Sequence, residues 1–183
     1  MIFGSRETIA IEVGKTFIAP DGTRYIQFRF IIANQAFGDW NEPVLLSACV
    51  ADLKAFLENR DFRKNEDARG LSANDVFALA FDRFYNYDYS SQPILRPNLR
   101  DRYHLNEIGQ GAIRDRYGIV VVEIAPDSSR IIAKDLRTNE VVADHLMKSS
   151  DFVAIGNQFI DWAEGIISNN DSSGDNEMPR DGK

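Results

Sequence analysis

A chain of 183 residues, 44% hydrophobic and 27% charged, is long enough for one soluble domain with a short tail. No apolar run approaches the ~18 residues of a membrane span, and Cys49, the single cysteine, excludes an intrachain disulfide. The net charge of −7 is concentrated at the C-terminus: residues 1–150 hold 21 acidic and 19 basic side chains, residues 151–183 seven and two, so the body lacks the basic footprint of a nucleic-acid binder.

The first residues carry neither the basic nor the apolar stretch of a secretory signal, and the expectation is a cytoplasmic protein. Ile9, Ile11 and Val13 alternate with Thr8, Ala10 and Glu12, the period of a half-buried strand. Pro20-Asp21-Gly22-Thr23 has the residues of a turn, since proline presets φ and glycine accepts positive φ. From Arg24 to Ala33, Ile26, Phe28, Phe30 and Ile32 take one face, and Tyr25, Gln27, Arg29 and Ile31 the other. An antiparallel hairpin follows from two such strands around such a turn.

After Phe37-Gly38-Asp39-Trp40 the period changes. Leu46, Cys49, Val50, Leu53, Phe56 and Leu57 have helical spacing, with Cys49 on the apolar face as a buried, inert thiol. Residues 58–70 form a charged connector. Ser72, with Asp75 three residues on, resembles a capping box and opens a second helix burying Val76, Phe77, Ala80, Phe81 and Phe84. Tyr85 to Leu99 has neither period and reads as an ordered loop. Arg96, Arg100 and Arg102 then fall in a solvated connection.

Gly118 to Ile124 is an apolar run of the kind found in a central strand buried on both faces. Turns at 125–129 and at Thr138-Asn139 continue it into Arg130–Lys134 and Val141–Met147, a three-strand meander. A last helix spans Asp151 to Ser168, capped by Ser149 or Ser150, with Phe152, Ile155, Phe159, Ile160, Ala163 and Ile167 inward. The acidic tail, 169–183, lacks a core-forming hydrophobe and reads as disordered. The order β-β-α-α-β-β-β-α predicts an α+β fold over residues 1–168, with a mainly antiparallel sheet of about five strands and helices packed on it.

No motif supplies a catalytic residue, a metal site or a cofactor cradle. Gly14-Lys15-Thr16 resembles the end of a phosphate loop, but Ile9 stands where its first glycine is required. Gly109-Gln110-Gly111 has Arg114 in place of the third glycine of a dinucleotide fingerprint. His104 and His145 cannot build a zinc site with one cysteine unless carboxylates complete it. A Cys49–His104 nucleophile pair requires an electropositive pocket, whereas Leu46, Val50 and Leu53 surround Cys49.

Two features look like recognition surface. Asp39 and Trp40 follow a strand and precede a helix; the alternative is a structural corner, with Gly38 bending, Asp39 holding backbone amides and Trp40 closing the core. Tyr85, Tyr87 and Tyr89, with Asp88 among them, offer rigid amphipathic area suited to a protein interface; the alternative is that their rings cover the second helix.

The Met1-Ile2-Phe3-Gly4 opening, Ile9-Ala10-Ile11-Glu12, Tyr25–Phe30, and Phe37-Gly38-Asp39-Trp40 together resemble immunity protein family 42 of bacterial polymorphic toxin systems. His104, the strand Tyr117–Ile124, Arg130-Ile131-Ile132, and Phe159 with Trp162 extend the resemblance over about residues 1–168. The chain departs from it at Ala133 and Lys134, where an aromatic and an arginine are expected. The resemblance implies a cytoplasmic protein that protects its producer from a cognate toxin, and with the missing catalytic constellation the expectation is a non-enzymatic protein that binds the toxin domain and blocks its active or substrate-binding surface. Its contact candidates are Asp39, Trp40, Tyr85, Tyr87, Asp88 and Tyr89, with neither nucleic acid nor membrane as partner. Two other readings stand beside it: an interaction adaptor unrelated to toxins, and a small hydrolase built around His104.

Overall fold

The structure, a computed structural model, describes residues 1–82, 103–109 and 111–168. The expected hairpin is present and longer than its alternation indicated: β2 (Ile9–Ile18) pairs antiparallel with β3 (Arg24–Ile32). Three short strands complete a five-stranded antiparallel sheet. β1 (Ile2–Gly4) lies on β2, while β4 (Gln35–Phe37) and β5 (Val44–Leu45) both lie on β3. The α+β class and the sheet of about five strands are therefore as expected, but the membership differs. The meander forms a second sheet, β6 (Tyr117–Ala125), β7 (Ser128–Asp135) and β8 (Glu140–Met147), in that order.

The inner face of the first sheet carries Ile9, Ile11, Val13, Phe28 and Phe30, all buried. Against it rest α1 (Leu46–Glu58) and α4 (Ser149–Ser168). Phe28 meets Phe159 edge-on at 5.7 Å, and Phe56 meets Phe152 at 5.9 Å. Fully burying such rings stabilises the fold by about 1.5–3 kcal/mol each. Ile119, Val121 and Ile131 of the second sheet join this core. The opposite face of that sheet, with Val120, Val122 and Ile132, packs on Val76, Phe77 and Phe81 of α2 (Ala73–Phe77) and the π turn after it.

β6 is thus buried on both faces, as its composition predicts, yet it is an edge strand and not a central one. Two cores, one on each face, account for its uniform apolarity. Single bridges from Lys64 to Glu123 and from His104 to Val120 cover its open edge.

Local signals are realised with changes. Ser72 accepts from the Asp75 amide at 3.2 Å, as a helix cap should, but Asp75 takes the Ser72 hydroxyl instead of the Ser72 amide. The cap of α4 is neither Ser149 nor Ser150. Asp127, in the β6–β7 turn, accepts from the Ser150 amide at 2.8 Å and its hydroxyl at 3.0 Å, while the Ser149 hydroxyl donates to buried Glu123. The charged connector is two 3-10 turns, Asn59–Arg63 and Glu66–Gly70, and it is not wholly solvated, because Arg63 is fully buried. α3 (Gly111–Arg116) follows the Gly109 turn, where no helix was expected. The loop from Tyr85 to Leu99, the arginine stretch up to Arg102 and the tail at 169–183 lie outside the described residues.

Candidate functional site

The outer face of the first sheet is where the sequence candidates that are described come to lie. Across β1, β2 and β3, the residues that alternate with the core positions form cross-strand pairs: Ile2 of β1 faces Glu12 of β2, and Glu12 faces Arg29 of β3. Arg29 Nε donates to Glu12 Oε2 at 2.6 Å, and the exposed Arg6 guanidinium takes the other carboxylate oxygen. Two cations on one carboxylate leave this three-residue cluster with one net positive charge.

Gly38-Asp39-Trp40 folds back over the same face. Gly38 has φ +133°, and a Cβ there would stand 2.7 Å from Arg29 Cβ, so both the turn and the close approach require glycine. Asp39 Oδ1 accepts from the Asn41 amide at 2.8 Å, the bond expected of a turn aspartate. Trp40 does not close the core. It is half-buried on the solvent side, with the Arg29 guanidinium 4.2 Å from its ring centroid. Gln27 Nε2 donates to Trp40 O at 2.8 Å. A Cβ on Gly14 would come within 2.5 Å of Gln27 Oε1 and 3.1 Å of the Trp40 ring, so the missing side chain makes the notch that holds both.

The structure therefore joins Asp39 and Trp40 to Glu12, Arg29, Arg6 and Gln27, none of which the sequence singled out. A signal was present, since Glu12 on one strand and Gln27 and Arg29 on the next all lie off the apolar face. Only the pairing register shows that Glu12 stands opposite Arg29. Tyr85, Tyr87, Asp88 and Tyr89 fall outside the described residues.

The groups weighed for chemistry sit elsewhere. Cys49 is buried, and desolvation, with Asp52 adding repulsion, drives its thiol far above the ordinary range, so no thiolate forms near neutral pH. His104 borders a hollow of about 320 Å³ shared with Asp52, Glu107 and Arg114. Its ring is only 1% exposed, stacks on Phe81 at 4.8 Å and has Nε2 3.2 Å from Ala80 O. That is a packed histidine tying the π turn after α2 to the second sheet. His145 is half-buried on β8, and its Nε2 has no hydrogen-bond partner among the described residues. Among the described residues no cluster of three His, Cys, Asp or Glu side chains is arranged to hold a metal, and no helix is long and apolar enough to cross a membrane.

No curated protein matches the chain. The crystal structure of CdiI from Burkholderia dolosa AUO158 resembles it with a TM-score of 0.67, covering 88% of this chain and 99% of that one at 13% sequence identity. At that identity the likeness is one of fold. The family model described as immunity protein 42 matches residues 1–162, and on that match the chain belongs to this family of immunity proteins.

Proposed function

We propose that this protein works in the cytoplasm, without catalysis, by binding a cognate bacterial toxin domain and occluding its active or substrate-binding surface. The family match over residues 1–162 carries the reading. The CdiI likeness, which covers 88% of this chain, supports it at the level of fold, and we take residues 1–168 as a single immunity-protein-like unit. The packing of His104 and the suppressed ionisation of Cys49 favour binding over turnover. Contact candidates are Asp39 and Trp40 on the sheet face, with Tyr85, Tyr87, Asp88 and Tyr89 added from the sequence.

The test is co-expression with the toxin domain encoded beside this gene. Growth arrest by the toxin is relieved when this protein is present, and the two co-purify from the same cells. Unrelieved arrest with no co-purification sinks the proposal.

A further inference from the structure

A β-bulge changes the face of β2. Ile9, Ile11 and Val13 point into the core, and continued alternation would send Phe17 the same way. Between the pairs Val13–Phe28 and Thr16–Ile26, however, β2 holds one residue more than β3. Beyond that point Phe17 pairs with Tyr25 and shares its outward side. Leu45 pairs with Tyr25 from the other flank, and Ile2 sits beside Glu12. Ile2, Phe17 and Leu45 are 43%, 42% and 37% exposed, and none joins either core. The outer face thus carries an apolar margin around a charged centre.

Its side chains are also held in place before any partner arrives. The Lys15 amide, at the bulge, donates to Gln27 Oε1 at 2.9 Å, and the same Gln27 side chain fixes Trp40 through its carbonyl. Arg29 is clamped between Glu12 and the Trp40 ring. None of this fills a core. Immobilised aromatic and arginine side chains, rimmed by apolar area, are what tight protein interfaces use, because less entropy is lost on association.

We propose that this outer face, centred on Arg29 and Trp40 and bordered by Phe17, is the surface that receives the toxin, and that the toxin offers it a carboxylate-bearing, partly apolar patch. The assignment rests on the toxin-binding reading above. Charge selects the partner's chemistry: Arg6, Arg29 and, at the bulge, Lys15 outnumber Glu12 and the exposed Asp39, on a protein whose net charge is −7.

The experiment measures affinity for the neighbouring toxin domain, inactivated for handling, against wild type, Trp40→Ala, Arg29→Glu, Phe17→Ser and, on the helical layer, Glu164→Ala. Circular dichroism establishes that each is folded. Phe17 is exposed and outside both cores, so Phe17→Ser keeps the test open if a change at Trp40 or Arg29 disturbs the sheet. Folded variants of the sheet face lose affinity by about thirtyfold or more, Arg29→Glu the most, Glu164→Ala is unchanged, and wild-type binding weakens with salt. Wild type that binds while folded face variants bind equally well overturns this surface and leaves toxin binding standing. Wild type that fails to bind ends both. Variants that alter self-association in sedimentation without altering toxin affinity also overturn it, by showing a second copy of the chain as the occupant.

Discussion

Ala33 and Asn34 turn the chain from β3 into β4 with φ of +48° and +65°. Asparagine tolerates that region, whereas alanine pays about 1–2 kcal/mol for its Cβ. Ala33→Gly relieves this strain and adds freedom to the unfolded chain, which offsets part of the gain. The expected net is a stabilisation of about 0.5 kcal/mol, read as a higher urea midpoint with unchanged slope; a lower midpoint contradicts the account. Arg63 is the opposite case. It is fully buried, with its guanidinium 4.1 Å from the Phe56 ring centroid, Nη1 donating to Phe56 O, and Glu123 at 4.0 Å. Burial pulls its pKa down to about 10, with Glu123 acting against that shift. Glu123→Ala strands this charge and also removes the acceptor of the Ser149 hydroxyl. It costs about 3–5 kcal/mol in urea unfolding; a loss below 1 kcal/mol shows that water or a rearrangement solvates Arg63.

At the scale of elements, α4 is held at its start by a side chain from a different part of the chain. Asp127 accepts from the Ser150 amide, and that bond, foremost, draws its pKa below the ordinary carboxylate value. Asp135 is lowered likewise, first by the Arg137 amide in the β7–β8 turn and then by Arg116. A carboxyl lowered in the folded state binds its proton more readily when unfolded. Its stabilisation is therefore complete above about pH 4, the unfolded value, and is lost as pH falls through the lower folded value. Asp127→Asn keeps the shape and removes the charge, so it lowers the thermal midpoint at neutral pH and narrows the gap to wild type in acid. A gap that stays constant with pH rules out ionisation of Asp127 as the cause.

For the molecule as a whole, both sheets contribute to one core, with Ile119, Val121 and Ile131 packed among residues of β2, β3, α1 and α4. Cooperative unfolding follows from a shared core. The two tryptophans report on different places: Trp162 packs beside Phe3 and Phe159 on α4, and Trp40 lies on the outer face of the first sheet. In a Trp162→Phe protein the remaining fluorescence belongs to Trp40. It is expected to unfold with the same midpoint as far-UV circular dichroism; separated midpoints show that the first sheet melts independently. Exposed ion pairs add little at this scale. Lys54→Ala, which removes the bridge between α1 and Glu164 of α4, shifts stability by no more than about 0.5 kcal/mol.

The periods of the chain were sufficient for the hairpin, α1, the meander and α4, because each follows from local spacing of apolar residues and from turn chemistry. Ser72 was legible as a cap because its partner is three residues away, and Asp127 was not, because its helix begins 22 residues later. Asp39 and Trp40 were marked by residue type and position. Their neighbours Glu12, Arg29 and Gln27 depend on strand register, and the direction of Phe17 depends on a single extra residue in β2. Alternation specifies which residues share a face only while pairing stays in step. Contacts between distant segments, the division of five long strands into two sheets, and the side on which an aromatic ring emerges are set by packing the segments together, which no local pattern records.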